Sequence, residues 1–152
     1  MIDRTLVQER LYQIQRSLER LERLARTPRE AFLAPDSDLP AVAESHLRRS
    51  LEASFDVGRH ILAKTGHVEF VTEYEGIARG MVDTGVVDRS LLEPLVGMAG
   101  YRNRLVHLYH QVSDEELYEI LRTRLGDLRA FIREIKAYLA RREAEESGHE
   151  RD

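Results

Sequence analysis

The stretch "GMAGYRNRLVHLYHQVSDEELYEIL", residues 97–121, decides how the second half of this chain is built. Its left part continues a helical pattern that begins upstream in "LLEPLVGMAGYRNRLV". Its right part opens with Ser113 and Glu116, an S-x-x-E capping box that starts a helix near Asp114. If that helix begins there, the preceding one ends near Val106 or His107. Arg102, Asn103, Arg104, His107, Tyr109 and His110 therefore crowd a helix end and a short connector. Such a place lets side chains reach solvent and substrate.

Working outward, the rest reads as helix. Val7, Leu11, Ile14, Leu18, Leu21 and Ala25 recur at steps of four and three, one apolar stripe on a helix over about residues 2–26. "TPRE" offers Thr27 as N-cap, Pro28 at the first helical position and Glu30 at N3, predicting a short helical turn. "APDSDLP", residues 34–40, is a loop. A second long helix is predicted over about 40–64, with Leu47, Leu51, Phe55, Gly58 and Leu62 inward and Gly66 as its C-terminal cap. A third covers about 70–83. Asp88 or Ser90 caps the fourth. The last helix carries Leu121, Leu125, Leu128, Ile132, Ile135 and Leu139, again at steps of four and three. No segment alternates as a strand does. The expectation is an all-α antiparallel bundle of four to five main helices in one domain, residues 1–142, with residues 143–152 a charged tail that frays.

Composition narrows the function classes. With 152 residues, 42% hydrophobic and 33% charged, the chain suits one globular domain. No apolar run approaches the roughly 20 residues of a membrane span, and charge begins at residue 3, which does not suit a secretory leader; a cytoplasmic setting is expected. The absence of cysteine excludes disulfides, thiolate metal sites and a cysteine nucleophile. A net charge of −4 lacks the basic excess of a protein that coats nucleic acid, so any such contact is local.

The polar cluster admits two readings. Cationic side chains suit the negative pole of a helix end, with no further task. Alternatively, Arg102 and His107 stand in an R-x4-H spacing followed by Tyr109, with Arg104 and His110 as an overlapping second register. Histidine titrates near physiological pH and suits proton transfer. Arginine stays charged and grips phosphate with a planar fork. Together they fit chemistry at a phosphate ester, with histidine moving protons and arginine placing positive charge on the transition state. Asn103 fits as a support for His107 or a phosphate oxygen. One chain supplies one clear pair, so a two-fold dimer sharing a cleft is expected to supply two. Gly97 and Gly100 point to close packing, either within the chain or against a second copy. Asp56 and His60, at i and i+4, read as a local pair or as the floor of the cleft; no third ligand accompanies them, and no metal is assigned. His46, His67 and His149 read as surface residues.

"MAGYRNRLVHLYHQVSDEELYEIL" resembles the signature of HepT-like toxins in the HEPN superfamily, whose motif is R-x4-H-x-Y. Arg102, Asn103, His107 and Tyr109 match it position by position. "LEASFDVGRHILAKTG" resembles that family's second long helix, with Asp56 and His60 at its Asp-x3-His pair, and "YEGIARGMVDTGVVD" resembles the segment between. The match spans about residues 44–135. Arg104 departs from the family pattern, which more often has an apolar residue there. The resemblance implies an HEPN-type bundle acting as a homodimeric endoribonuclease toxin, without a cofactor or metal. Arg102 and His107 would be catalytic, with Asn103, Asp56 and Arg104 in support. It further implies a minimal nucleotidyltransferase (MNT) antitoxin as partner, which silences the toxin by transferring AMP to Tyr109. The rival reading is a non-catalytic HEPN-type module that scaffolds such a partner, with Tyr109 merely packing on the last helix.

Overall fold

The structure, a computed structural model, describes residues 1–107 and 112–151. Seven α-helices and two 3-10 turns make up the regular structure of the described residues: α1 (Arg4–Ala25), α2 (Arg29–Phe32), α3 (Leu39–Lys64), α4 (Tyr74–Asp83), α5 (Leu92–Val106), α6 (Asp114–Thr123) and α7 (Leu125–Arg151). The fold is all-α, as the apolar periods predict. None of the described helices is long and apolar enough to cross a membrane.

The long helices α1 and α3 form the frame. Asp3 lies by His60 and Ser17 by His46, so the two run antiparallel. Asp3 caps α1, its Oδ1 accepting from the Leu6 N–H at 3.1 Å. Val7, Leu11, Ile14, Leu18 and Leu21 are buried against Leu47, Leu51, Phe55 and Leu62 of α3 and the apolar stripe of α7. Each fully buried large side chain contributes roughly 1.5–3 kcal/mol. α7 also runs antiparallel to α1: Arg4 bonds the Leu139 carbonyl, and Arg129 pairs with Glu22.

Local punctuation follows the sequence at most boundaries. Gly66 takes φ +84°, and the His67 N–H donates to the Leu62 carbonyl at 2.8 Å, ending α3 in a Schellman turn. Gly85 does the same for α4, with φ +78° and the Val86 N–H on Met81 O. Asp88 caps the 3-10 turn before α5, accepting from the Ser90 N–H. Four boundaries differ from the sequence expectation. Pro28, not Thr27, holds the N-cap position of α2, and the Thr27 carbonyl instead accepts from the Tyr118 hydroxyl at 2.7 Å. The third predicted helix starts at Tyr74, because a 3-10 turn at Val68–Phe70 folds the Phe70 ring onto Gly80, where a Cβ would lie 2.6 Å from it. The predicted last helix is two, α6 and α7, parted at Arg124. The charged stretch from residue 143, expected to fray, is helical through Arg151.

Candidate active site

Arg102 and His107 sit at the C-terminal end of α5. His107 is its C-cap, with an extended backbone (φ −88°, ψ 120°), and its N–H donates to the Asn103 carbonyl at 3.0 Å. The turn from helical to extended backbone leaves the His107 side chain exposed beside exposed Asn103 and Val106. Arg102 is half-buried. Its guanidinium carbon lies 4.2 Å from the centre of the Tyr74 ring, a close cation–π seat. Tyr74 is the first residue of α4 and is itself braced edge-on against Phe55 of α3, with centroids 5.1 Å apart and planes at 78°. Arg59 of α3 reaches the same ring, 5.6 Å from its centre. The Arg102 Nε is buried and has no acceptor among the described residues.

Arg104 faces elsewhere. Its guanidinium forks onto the Glu116 carboxylate, Nη1 to Oε1 at 2.5 Å and Nη2 to Oε2 at 2.7 Å. The bond holds the Glu116 carboxyl below, and the Arg104 guanidinium above, their ordinary ranges. Arg104 thus ties the end of α5 to the start of α6 and clamps both ends of the connector. Ser113 caps α6 as expected, its Oγ accepting from the Glu116 N–H at 3.1 Å. Glu116, however, spends its carboxylate on Arg104. Tyr109 and His110, and with them the Arg104/His110 register, lie outside the described residues.

Asp56 and His60 do not pair with each other. His60 Nε2 accepts from the Asp3 N–H at 2.9 Å and anchors the start of α1. Burial, then Lys64, pulls its pKa down, which favours the neutral ring that this bond requires. The Asp56 carboxylate meets Arg59 at 3.4 Å and Arg10 at 3.7 Å. Asp56 is therefore linked to Arg102 indirectly, through Arg59 and the Tyr74 ring. Among the described residues no three histidine, aspartate or glutamate side chains converge as a metal-ligand set.

Among the described residues, no atom from outside their own stretch of α5 lies within 4 Å of a Cβ built on Gly97 or Gly100, so close packing against those residues is not their reason. Gly97 lines a shallow apolar groove of about 140 Å³ bordered by Leu47, Leu51, Met98 and Tyr101. At about 100° per residue, both glycines lie 140–160° round α5 from Arg102, so the glycine face and the arginine face differ. The close contact expected of an inward glycine belongs instead to Gly58, where a Cβ would stand 2.8 Å from Ile77 Cγ2 and from Met81 Sδ. Sequence reasoning did not single out Tyr74. Its only signal was its place in the segment that resembles the HEPN pattern, since nothing local reveals that its ring will carry an arginine from another helix.

Solved HEPN toxins share this all-helical fold. A Shewanella oneidensis HEPN toxin, solved in tri-AMPylated form in complex with an MNT antitoxin, superposes with a TM-score of 0.75 at 22% identity, covering 90% of this chain and 99% of that one. A toxin–antitoxin structure with AMP-PNP gives 0.76 at 20% identity, covering 88% and 98%. The chain belongs to the ribonuclease HepT-like family, whose model matches residues 14–135. It is 24% identical over 147 residues to the tRNA nuclease HepT of Aphanizomenon flos-aquae, covering 95% of this chain and 97% of that protein. By family the chain is an RNA-cleaving enzyme.

Proposed function

We propose that the chain is a cytoplasmic endoribonuclease toxin that cleaves tRNA without a metal, at a cleft shared by two copies, and that an MNT-type nucleotidyltransferase antitoxin silences it by AMP transfer to Tyr109. The observation that carries this is the Arg102 guanidinium seated on Tyr74 at the end of α5, five residues before exposed His107 at its C-cap. tRNA as substrate class is drawn from the name of the relative matched over nearly the whole chain. His107 takes the 2′-OH proton, and the freed oxygen attacks the adjacent phosphorus. Arg102 neutralises the charge that builds on the phosphoryl oxygens. The 5′-oxygen departs with a proton from the second copy's His107, leaving a 2′,3′-cyclic phosphate. Proton transfer and charge stabilisation are both met by side chains, which is why no ion is invoked.

Dimerisation through the C-terminal end of α5, where Asn103, Val106 and His107 are exposed, would bring two Arg102/His107 pairs into one cleft. The AMP step is supported by the tri-AMPylated state of the Shewanella toxin. AMP on Tyr109, two residues from His107, would add negative charge and bulk where RNA phosphate must sit. The test is cleavage of tRNA by the purified chain in EDTA. Arg102→Ala and His107→Ala should each lower the rate by about 10²–10³, the scale of losing one preorganised charge partner. Cleavage that survives both substitutions, or that requires added magnesium, would overturn the mechanism. Absence of cleavage on any RNA would favour the scaffold reading.

A further inference from the structure

A further concavity lies away from α5. It is a groove of about 840 Å³ between the exposed faces of α1 and α3. Arg10, Arg16, Arg20 and Arg23 line its α1 wall, and His46 and Arg49 its α3 wall. Along α1 the arginines step by six, four and three, so Arg10 to Arg23 spans about 20 Å. The chain is acidic overall, yet this groove is not. Three carboxylates border it, and each is engaged: Glu52 by Arg48, Glu19 by Gln15 and Asp56 by Arg10 and Arg59. Arg16, Arg20, Arg23 and Arg49 have no carboxylate within 4 Å among the described residues.

His46 reports the resulting field. Its Nδ1 lies 3.3 Å from Ser17 Oγ in the groove wall. Its pKa is pulled down by burial first, then by Arg49, Arg20 and Arg23, so three guanidinium groups converge on it. It is not the free surface residue that the sequence suggests. The groove also joins the candidate active site by direct contacts. Arg10 meets Asp56, Asp56 meets Arg59, and Arg59 and Arg102 share the Tyr74 ring.

We propose that this α1–α3 groove is an RNA-binding track, in which Arg16, Arg20, Arg23 and Arg49 grip the backbone phosphates of the substrate strand that leads to Arg102 and His107. The proposal rests on the ribonuclease reading and names the surface that holds the substrate outside the reacting phosphate. Guanidinium forks at axial steps of about 4.5–6 Å match phosphates every one to two nucleotides at roughly 3.4 Å per nucleotide. Phosphate contacts of this kind position a strand without reading its sequence. A short, local basic track also accommodates RNA on a chain whose net charge is −4.

The experiment measures tRNA binding in the His107→Ala background, so that affinity is read without cleavage. Arg20→Gln/Arg23→Gln/Arg49→Gln is compared with a triple of equal charge on α7, Arg129→Gln/Arg133→Gln/Arg141→Gln. Thermal melting checks that both fold. We expect the groove triple to weaken binding at least tenfold near 0.1 M salt. It should flatten the slope of log affinity against log salt by about 2, the value for three lost single-strand phosphate contacts. The α7 triple should change little. In the otherwise active chain, the groove triple should raise KM for tRNA. Equal binding by parent and groove triple would overturn the track while leaving the ribonuclease reading intact. Equal losses in both triples would reduce the effect to net charge and overturn it too. Loss of nucleotidyltransferase binding with tRNA affinity unchanged would make the groove a protein-docking surface instead. Binding without cleavage by the active chain would sink the ribonuclease reading and leave the track standing.

Discussion

Replacing Tyr74 with leucine tests whether the seat of Arg102 matters for catalysis. The ring carries the Arg102 guanidinium at 4.2 Å and is braced by Phe55. A cation–π contact is worth about 0.5–1 kcal/mol at exposed sites and about 2 when desolvated. For half-buried Arg102 we take about 1.5 kcal/mol. If that energy holds the guanidinium where phosphoryl charge develops, its loss raises the barrier by the same amount. At about 1.4 kcal/mol per tenfold, kcat/KM should fall roughly tenfold. Tyr74→Phe keeps the ring face and should stay within about twofold of the parent. Initial rates on tRNA, measured well below the melting temperature of each variant, give the comparison; leucine preserves most of the burial against Phe55. Wild-type rates in a folded Tyr74→Leu protein would refute the reasoning. So would a Tyr74→Phe variant as impaired as Tyr74→Leu, because the hydroxyl rather than the ring face would then be responsible.

Three further outcomes are expected. Gly58→Ala should destabilise the fold by about 0.5–2 kcal/mol in thermal or urea unfolding, since overpacking against Ile77 and Met81 outweighs the gain in helix propensity, whereas Gly97→Ala, with open space around it, should be neutral or stabilising by up to about 1 kcal/mol. The Arg104–Glu116 fork is partly exposed, so a double-mutant cycle should return no more than about 1 kcal/mol; because the Glu116 carboxyl is held below its ordinary range, that contribution is present above the carboxylate range and lost as pH falls through the lowered folded value, visible as a steeper acid limb than in Glu116→Gln. His46 is the opposite case: its folded pKa lies below the ordinary 6.5, so the unfolded chain takes up the proton first and stability declines as pH drops below about 6.5, levelling once the folded group also titrates. His46→Gln, which keeps Arg20, Arg23, Arg49 and Ser17 around it, should flatten that part of the stability–pH profile.

Much of this molecule was written in its local pattern. Apolar residues at steps of four and three named the buried faces of α1, α3 and α7, because a helix repeats every 3.6 residues and only one stripe can meet a core. Gly66 ended and Ser113 began a helix where expected, and of the two candidates before α5 it is Asp88 that caps the 3-10 turn leading into it, since positive φ and side-chain caps are properties of single residues. The same pattern missed the break at Arg124, because the leucine spacing from Leu121 through Leu125 to Leu128 continues across it unchanged. It missed the turn at Val68–Phe70, whose cause is a ring packed onto a glycine ten residues away. At the site, the spacing offered Arg102 and His107 as a candidate pair, and the resemblance to the HepT-like pattern favoured it. Which arginine is available was decided only in three dimensions: Arg102 rests on Tyr74, while Arg104, two residues on, is taken by Glu116 of another helix. The arginine groove was invisible for the same reason. Its members are scattered over residues 10–49 in a chain of net negative charge, and only the antiparallel packing of α1 on α3 gathers them around one groove.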